Sequence, residues 1–207
     1  MSTRSQLPRF YAIVDASLLP PGLSAIDSFV GDLVAGGATL LQYRNKVANS
    51  ATMLSQAREF RRLAPNARLV MNDRADLCLA AGFDGVHLGQ DDLSIAGARS
   101  LLGPGPLVGL STHNPEQARE ADTTTADYVA IGPVFATRSK RNPDPVIGLE
   151  GVAQARRTTG KPLVAIGGID RRNCRDVIAA GADSVAVISD LIESPRKSVE
   201  DFLRILG

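Results

Sequence analysis

The sequence predicts a single-domain (β/α)8 barrel, an α/β fold also called a TIM barrel, from three observations. Short apolar runs recur eight times, segments with helical spacing separate them, and a weak internal repeat connects the units. Continuous apolar runs are typical of strands buried on both faces of a parallel sheet. The alternative is a doubly wound open sheet. We favour the barrel because the pattern continues through an eighth strand and no Gly-x-Gly-x-x-Gly motif follows the first.

The predicted strands and helices alternate along the whole chain. In order, the strands are FYAIVD, TLLQYR, RLVMND, GVHLG, LVGLST, YVAIGPVF, PLVAIGG and SVAVIS. Between them, apolar residues recur every three or four positions, as a helix with one buried face requires. Two examples of this spacing are the set Met53, Leu54, Ala57, Phe60, Leu63 and Ala64 and the set Val199, Phe202, Leu203 and Leu206.

The internal repeat marks the passage from a helix to the next strand. Its copies read AGGATLLQ, AAGFDGVHLG, TTADYVAIG and AAGADSVAVIS. They are spaced by about two strand-helix units, as expected of a fold built from a repeated motif. Gly37, Gly82 and Gly181 stand where the C-terminus of a helix needs a left-handed residue. We therefore predict that these glycines are structural.

The composition suits one compact domain over residues 1–207, with residues 1–8 as a poorly ordered N-terminal extension. Hydrophobic residues make up 44% of the chain and charged residues 22%, a balance with which a chain of this length buries a sizeable core. The net charge is +1, aromatic residues make up 4%, and Trp is absent. Such a chain lacks the basic field and the stacking surfaces of a nucleic-acid binder.

Cysteine spacing and hydropathy favour a cytoplasmic location. Cys78 and Cys174 lie far apart with no Cys-x-x-Cys pair, as free thiols in a reducing compartment do. No apolar run approaches the roughly 20 residues of a membrane span, and the N-terminus has no apolar signal region. We therefore expect a cytoplasmic protein that binds no membrane and no nucleic acid, with small molecules as partners and a homo-oligomer allowed.

Polar residues gather at the predicted C-terminal ends of the strands, where a barrel places its active site. In strand order they are Asp15; Gln42, Arg44 and Lys46; Asn72 and Asp73; Asp91 and Asp92; Ser111 and His113; Thr137, Ser139 and Lys140; Gly167 and Gly168; and Ser189. Asp73 and Asp92 supply hard oxygen ligands, and Arg44, Lys46 and Lys140 supply positive charge. Proteins usually hold Mg²⁺ with one or two carboxylates plus substrate phosphate oxygens. This set therefore predicts a magnesium-diphosphate site.

A second phosphate site is predicted on the opposite side of the same mouth. Gly167, Gly168 and Ser189 follow strands seven and eight, where many barrels cradle a phosphate with backbone N–H groups. Two phosphorylated ligands meeting in one mouth indicate a transfer reaction.

Each of these residues also has a structural interpretation. Asp73, Asp91 and Asp92 could cap the helices that follow them, because Asp accepts from unpaired backbone N–H groups at a helix start. Ser111 and Thr112 could cap the helix that begins near Pro115.

The remaining residues have structural interpretations of other kinds. Arg44 and Lys46 could belong to a solvated loop, and Gly167 and Gly168 could serve only a tight turn. We interpret His87 as a hydrogen-bonded histidine inside the barrel, whereas His113 could be a base or a loop residue.

Long motifs in the right order resemble those of the thiamine-phosphate synthase family. They are LQYRNK, MNDRADL, GVHLGQDDL, GLSTHN, YVAIGPVFATRSK, GLEG and VAIGGI, and the resemblance covers essentially the whole chain. It implies transfer of a hydroxymethylpyrimidine group from its diphosphate to the nitrogen of a thiazole (carboxy)phosphate, with release of diphosphate. It further implies a Mg²⁺ cofactor and a path through a pyrimidine carbocation, with no protein nucleophile.

The resemblance also implies roles for individual residues. The metal ligands are Asp73 and Asp92, with Asp91 where the family often has Glu. The pyrimidine-diphosphate site contains Gln42, Tyr43, Arg44, Asn45, Lys46, Asn72, Ser111 and Lys140. The thiazole-phosphate site contains Thr137, Arg138, Ser139, Gly168, Ile188 and Ser189. Of these residues, Arg44, Lys46, Lys140 and Ser111 are the candidates for catalysis.

The chain departs from the family pattern at three positions. Ala136 stands where Pro is frequent, Ser139 where Thr is frequent, and Tyr43 where an aliphatic residue is usual. Ser139 keeps the hydroxyl group, and nothing in the metal or diphosphate set is missing.

Two competing functions remain open at this point. One is a thiazole tautomerase, an isomerase in which His113 would transfer the proton. The other is a noncatalytic barrel that binds a phosphorylated ligand.

Overall fold

Eight parallel strands close into one barrel in this computed structural model, which describes residues 7–137 and 144–207. Each strand pairs with its neighbours in chain order, and β1 closes the barrel against β8 with Phe10 opposite Val185. The barrel prediction is therefore confirmed.

The strands lie close to their predicted positions. They are β1 Phe10–Asp15, β2 Leu40–Arg44, β3 Arg68–Asn72, β4 Gly85–Leu88, β5 Leu107–Thr112, β6 Tyr128–Ile131, β7 Leu163–Ile166 and β8 Ser184–Val187. The sequence predicts that β6 reaches Phe135, whereas the strand ends at Ile131, two residues before Pro133, which has no N–H group for a sheet ladder. β8 ends before Ser189, which begins a short 3₁₀ helix, Ser189–Leu191.

Eight α-helices surround the strands within the described residues. They are α1 Leu23–Ala35, α2 Ser50–Leu63, α3 Ala75–Ala81, α4 Ile95–Leu102, α5 Pro115–Asp122, α6 Gly148–Thr158, α7 Cys174–Ala179 and α8 Pro195–Leu206; a further 3₁₀ helix, Ala16–Leu18, follows β1. In the part of the chain that is described, no helix is both long and apolar enough to cross a bilayer.

Apolar side chains pack in two layers because successive residues of a strand point to opposite faces. On β1, Phe10, Ala12 and Val14 face the helices, and Phe10 stacks on Phe202 of α8 with ring centroids 5.0 Å apart. Tyr11 and Ile13 face the barrel interior. Leu7, the first described residue, is also buried in this inner cluster. The other part of the predicted N-terminal extension, residues 1–6, lies outside the described residues.

The structural role predicted for the repeat glycines is confirmed. Gly82 ends α3 in the left-handed conformation, with φ 66° and ψ 38°, and Gly181 has φ 115° before β8. Both angles lie in the region that side-chain-bearing residues seldom adopt.

An arginine–aspartate clamp occurs three times at the N-terminal ends of the strands and explains the internal repeat. In the middle copy, Asp127 accepts from the backbone N–H of Val108 at 2.7 Å and donates its own backbone N–H to the carbonyl of Val108. Arg99 of α4 pairs with the same carboxylate and donates to the carbonyl of Pro106 at 2.6 Å.

The other two copies repeat this arrangement. Arg61 with Asp84 holds the start of β3, and Arg156 with Asp183 holds the start of β7. The three aspartates occupy the same position in three copies of the sequence repeat, while the AGGATLLQ copy has Thr39 there. Each clamp therefore ties a helix end to the start of an odd-numbered strand.

We predict that Asp127→Asn lowers the free energy of unfolding by about 1–3 kcal/mol, because the amide removes the charge that pairs with Arg99 and places an N–H group where an acceptor is needed. Urea unfolding monitored by circular dichroism measures this change. Glu120→Gln, the same chemical change at an exposed position of α5, is the matched control. Equal midpoints for the two variants would contradict a stabilising role for the clamp.

Candidate functional site

The C-terminal ends of the strands form a polar mouth, as the sequence predicts. Arg44 ends β2, Asn72 ends β3, Ser111 lies near the end of β5, and Gly167 follows β7. Thr137 is the last described residue after β6, so the predicted site residues Arg138, Ser139 and Lys140 lie outside the described residues.

Asp73 does not cap the helix that follows it. The residue before α3 is Arg74, and no side chain caps that helix. Asp73 instead has φ 62°, a left-handed conformation that costs a non-glycine residue of order 1–2 kcal/mol. Its backbone N–H donates to the carbonyl of His87 at 2.8 Å, and its carboxylate pairs with Lys46. The capping interpretation of Asp73 is therefore wrong.

Asp91 and Asp92 do not cap α4 either. Ser94 does so, since its Oγ accepts from the N–H of Gly97 at 3.1 Å. Asp91 is exposed, whereas the Oδ2 atom of Asp92 accepts from the N–H of Gly89 at 2.7 Å. Asp92 thereby closes a turn that brings its carboxylate back over the end of β4.

The carboxyl groups of Asp73 and Asp92 come together in this mouth. Burial is the main reason why the pKa of Asp73 is raised; the side-chain contact with Asp92 raises it further, and Lys46 opposes both effects. A carboxyl group whose charge is disfavoured both by burial and by a neighbouring carboxyl group favours a cation beside it.

Among residues 7–137 and 144–207, no cluster of three or more His, Cys, Asp or Glu side chains could hold a metal ion. Two carboxylates with substrate oxygens are nevertheless the usual Mg²⁺ ligand set, so this pair fits that ion.

A buried aspartate holds the arginine of the mouth. The Asp15 carboxylate pairs with Arg44 and also accepts from the hydroxyl of Ser17 at 2.6 Å and its backbone N–H at 3.1 Å. The Asp15 side chain is only 2% exposed and that of Arg44 is 18% exposed, so the guanidinium is oriented before any ligand arrives. Arg44 is therefore not a solvated loop residue. Sequence reasoning located Asp15 at a strand end but assigned it no role.

Tyr43 and Asn45 face the helix layer rather than the barrel interior. Tyr43 donates its hydroxyl to Oε1 of Gln56 at 2.6 Å, and the amide nitrogen of Asn45 donates to the same oxygen at 3.1 Å. The Asn45 side-chain oxygen accepts from the backbone of Val47 and Ala48. These two side chains therefore fix the loop that follows β2.

Polar side chains form a continuous chain of hydrogen bonds across the barrel interior, which we call the inner polar chain. Gln42 contacts Tyr11 at 2.7 Å, Tyr11 contacts Tyr128 at 3.3 Å, Tyr128 contacts Nδ1 of His87 at 2.9 Å, and Nε2 of His87 contacts Ser111 at 2.8 Å. Burial lowers the pKa of His87 to about 4. The interpretation of His87 as a hydrogen-bonded histidine inside the barrel is confirmed.

The loop after β5 has its own capping residue. Asn114 accepts from the N–H of Gln117 at 2.8 Å, and Pro115 is the first residue of α5. Thr112 donates its hydroxyl to the carbonyl of Ala130 at 2.8 Å. The proposed caps Ser111 and Thr112 are therefore wrong, and Ser111 is left to the barrel interior.

His113 connects the ends of β5 and β6. Its Nδ1 lies 2.9 Å from the carbonyl of Gly132 and 3.4 Å from a carboxylate oxygen of Asp144. The backbone N–H of His113 donates to Gln117 at 2.7 Å. The ring therefore holds the strand ends together through the nitrogen that faces Gly132.

The glycines after β7 lie against the segment that follows β6. A Cβ atom on Gly168 would lie 2.6 Å from the carbonyl oxygen of Ala136, and one on Gly167 would lie 2.6 Å from Cα of Pro133. Both glycines have positive φ, 102° for Gly167 and 63° for Gly168. Close packing therefore requires both glycines. Ile188 and Ser189 follow β8, the strand next to β7 in the barrel.

Comparison with known proteins identifies similar sequences that share one name. A family model described as thiamine monophosphate synthase matches residues 10–191. A thiamine-phosphate synthase of Koribacter versatilis is 59% identical over 209 residues, which cover 100% of this chain and 99% of the relative. A thiamine-phosphate synthase of Chloroflexus aurantiacus is 43% identical over 89% of this chain and 85% of the relative.

Solved structures agree with the sequence comparison. A thiamine phosphate pyrophosphorylase from Pyrococcus furiosus superposes with a TM-score of 0.84 at 36% identity, covering 96% of this chain and 95% of that one. A 3-hexulose-6-phosphate synthase from Salmonella typhimurium superposes with a TM-score of 0.73 at 15% identity, covering 96% and 98%. The second similarity extends to the fold alone.

Proposed function

Because the chain belongs to the thiamine monophosphate synthase family and is a transferase of thiamine biosynthesis, we propose that it joins two phosphorylated substrates. One is 4-amino-2-methyl-5-hydroxymethylpyrimidine diphosphate, and the other is a thiazole phosphate or its carboxylated form. The products are thiamine phosphate and diphosphate.

The observation that carries this proposal is the Asp73–Asp92 pair beside Lys46. Asp73 is held in a strained left-handed conformation, and its carboxyl group is partly buried against that of Asp92. Strained residues persist where the surrounding structure over-determines them, commonly at functional sites. Asp73 and Asp92 would hold Mg²⁺, which would supply positive charge next to the departing diphosphate.

Cations of the chain would complete the diphosphate site. Arg44 is oriented by Asp15, and the Lys46 side chain is 49% exposed, so it can turn from Asp73 to a ligand. Lys140, outside the described residues, would add a third cation from the segment after β6. Charge placed in advance where the leaving group develops its own charge lowers the barrier to its departure.

The pyrimidine ring would lie between Gln42 and Asn72, two buried amide side chains of which Gln42 lies within β2 and Asn72 ends β3. Departure of diphosphate leaves a carbocation-like methylene that the thiazole nitrogen captures. The thiazole phosphate would lie on the side of Thr137, Gly168 and Ser189, with Arg138, Ser139 and Ile188 as further contacts. Holding both reactants in line makes the bond-forming step effectively unimolecular.

The tautomerase alternative, in which His113 would transfer the proton, would not require the paired carboxylates of Asp73 and Asp92. A noncatalytic barrel that binds a phosphorylated ligand would bind both substrates without forming product, so the assay below distinguishes it from the synthase.

We predict that the purified protein releases diphosphate and forms thiamine phosphate only when both substrates and Mg²⁺ are present. Treatment with EDTA should abolish the reaction, and excess Mg²⁺ should restore it, because the carboxylate pair alone repels the leaving group. A coupled assay for diphosphate with chromatography of the product measures both quantities. Absence of product with both substrates and Mg²⁺ would refute the proposed function.

We further predict that Asp92→Asn lowers kcat/KM by about 100-fold or more, because a neutral amide is a poor Mg²⁺ ligand. The amide oxygen can still accept from the N–H of Gly89, so the circular dichroism spectrum should remain unchanged. Glu120→Gln on α5 is the matched control and should retain full activity. Unchanged turnover in Asp92→Asn would show that Asp92 only closes the turn that begins at Gly89.

A further inference from the structure

We propose that Tyr11, Tyr128 and His87 are positioning residues of the inner polar chain. They fix which end of the chain offers a hydrogen-bond acceptor to a ligand and which end offers a donor. In this arrangement the Gln42 amide oxygen and the Ser111 hydroxyl proton are presented to one substrate. The inference rests on the proposed function, because it assigns that substrate as the aminopyrimidine diphosphate.

The inner polar chain is buried from Gln42 to His87, and Ser111 at its end is partly exposed. Tyr11 and Tyr128 are each 1% exposed, Gln42 is 2% exposed and His87 is 9% exposed. Its members come from five different strands, namely β1, β2, β4, β5 and β6. The hydroxyl groups of Tyr11 and Tyr128 and the ring of His87 must therefore find their partners within the chain, since an unsatisfied donor costs about 1–3 kcal/mol.

The Gln42 amide sets the direction of the first links. Its Nε2 group donates to the hydroxyl oxygen of Tyr11. The proton of Tyr11 then has the Tyr128 oxygen as its acceptor, and the Tyr128 proton has Nδ1 of His87. If Nδ1 carried a proton instead, Tyr128 would accept from it, and the proton of either Tyr11 or Tyr128 would have no acceptor in the chain.

The same logic fixes the other end. A neutral His87 whose Nδ1 accepts carries its proton on Nε2, which lies 2.8 Å from Oγ of Ser111. Ser111 therefore accepts from His87, and its own proton is free for a ligand. At the opposite end, Nε2 of Gln42 is engaged by Tyr11, so Oε1 is free to accept.

A glycine makes room for this arrangement. A Cβ atom on Gly109 would lie 2.1 Å from Cζ and 2.4 Å from the hydroxyl oxygen of Tyr128. The ring of Tyr128 thus crosses β5 over Gly109 and stacks on His87, with centroids 5.4 Å apart and planes 23° apart. Gly109 and Ser111 are two residues apart and therefore lie on the same face of β5. This strand thus makes room for the Tyr128 ring and carries Ser111, the end of the inner polar chain.

The chemistry of the two ends matches one ligand class. An acceptor at Gln42 suits an aromatic amino group, and a donor at Ser111 suits a negatively charged phosphate oxygen. A chain of reversed direction would offer a donor at Gln42 and an acceptor at Ser111, and it would repel both groups. The positioning residues therefore select an amino-substituted ring that bears an anionic group.

The first test is the tautomer of His87 in the substrate-free protein. Long-range ¹H–¹⁵N correlation spectra of the histidine-labelled full chain distinguish a proton on Nε2 from one on Nδ1, and a His113→Gln variant assigns the resonances. We expect His87 to carry its proton on Nε2. A proton on Nδ1, or an equal mixture of the two tautomers, would overturn the proposal whatever the enzymatic activity of the protein.

The second test compares Tyr128→Phe, which keeps the ring, with Thr112→Val, which removes a different buried hydroxyl, on the neighbouring strand β5. We expect Tyr128→Phe to raise KM for the pyrimidine diphosphate about tenfold, equivalent to about 1.4 kcal/mol, with a smaller change in kcat and no change in KM for the thiazole phosphate. Thr112→Val should leave all three parameters unchanged.

Equal effects of Tyr128→Phe on both substrates, or effects no larger than those of Thr112→Val, would overturn the positioning role. If Tyr128→Phe fails to fold, Tyr11→Phe tests the other link of the chain by the same readouts. An inactive wild-type protein would refute the proposed function, whereas the tautomer measurement would still decide the direction of the chain.

Discussion

Closure of eight parallel strands is the constraint on which the rest of the structure depends. All strand C-termini must meet at one mouth, and the register decides which side chains meet there. Asn72 at the end of β3 lies opposite His87 of β4, so the chain leaves β3 directly beside the turn that carries Asp92. The backbone N–H of Asp73 then bonds to the carbonyl of His87. The carboxylate pair therefore follows from sheet register as much as from side-chain chemistry.

The mouth contains an unfavourable contact between two carboxyl groups, those of Asp73 and Asp92, whereas the clamp aspartates at the opposite end of the barrel are paired with arginines. At the N-terminal ends of the strands, each clamp aspartate meets an arginine and a backbone N–H group, as in Arg99 with Asp127. At the mouth, the pKa of Asp73 is raised by burial and by Asp92, and among the described residues the half-exposed Lys46 pairs with its carboxylate. Stabilising groups thus lie at one end of the barrel and groups prepared for a ligand at the other.

The sequence predicts the fold well because apolar runs and repeat glycines are local signals. Gly82 and Gly181 end their helices as expected, and every predicted strand is present. Helix caps are harder to predict. Asp73, Asp91 and Asp92 are of residue types that cap helices and stand near helix starts, yet the observed caps are Ser94 and Asn114. The register of β3 and β4 directs Asp73 and Asp92 to the mouth instead. The clamps and the inner polar chain depend on side chains that are distant in sequence, such as Tyr11 and Tyr128, so no local pattern reveals them.

The central claim is that Asp73 and Asp92 converge on one divalent cation, and anomalous scattering tests it most directly. Crystals grown with Mn²⁺ in place of Mg²⁺ and with diphosphate should show an anomalous peak about 2 Å from an oxygen of each carboxylate, with diphosphate oxygens completing the coordination. Bound diphosphate with no peak between Asp73 and Asp92, or a peak bound by neither carboxylate, would contradict the account.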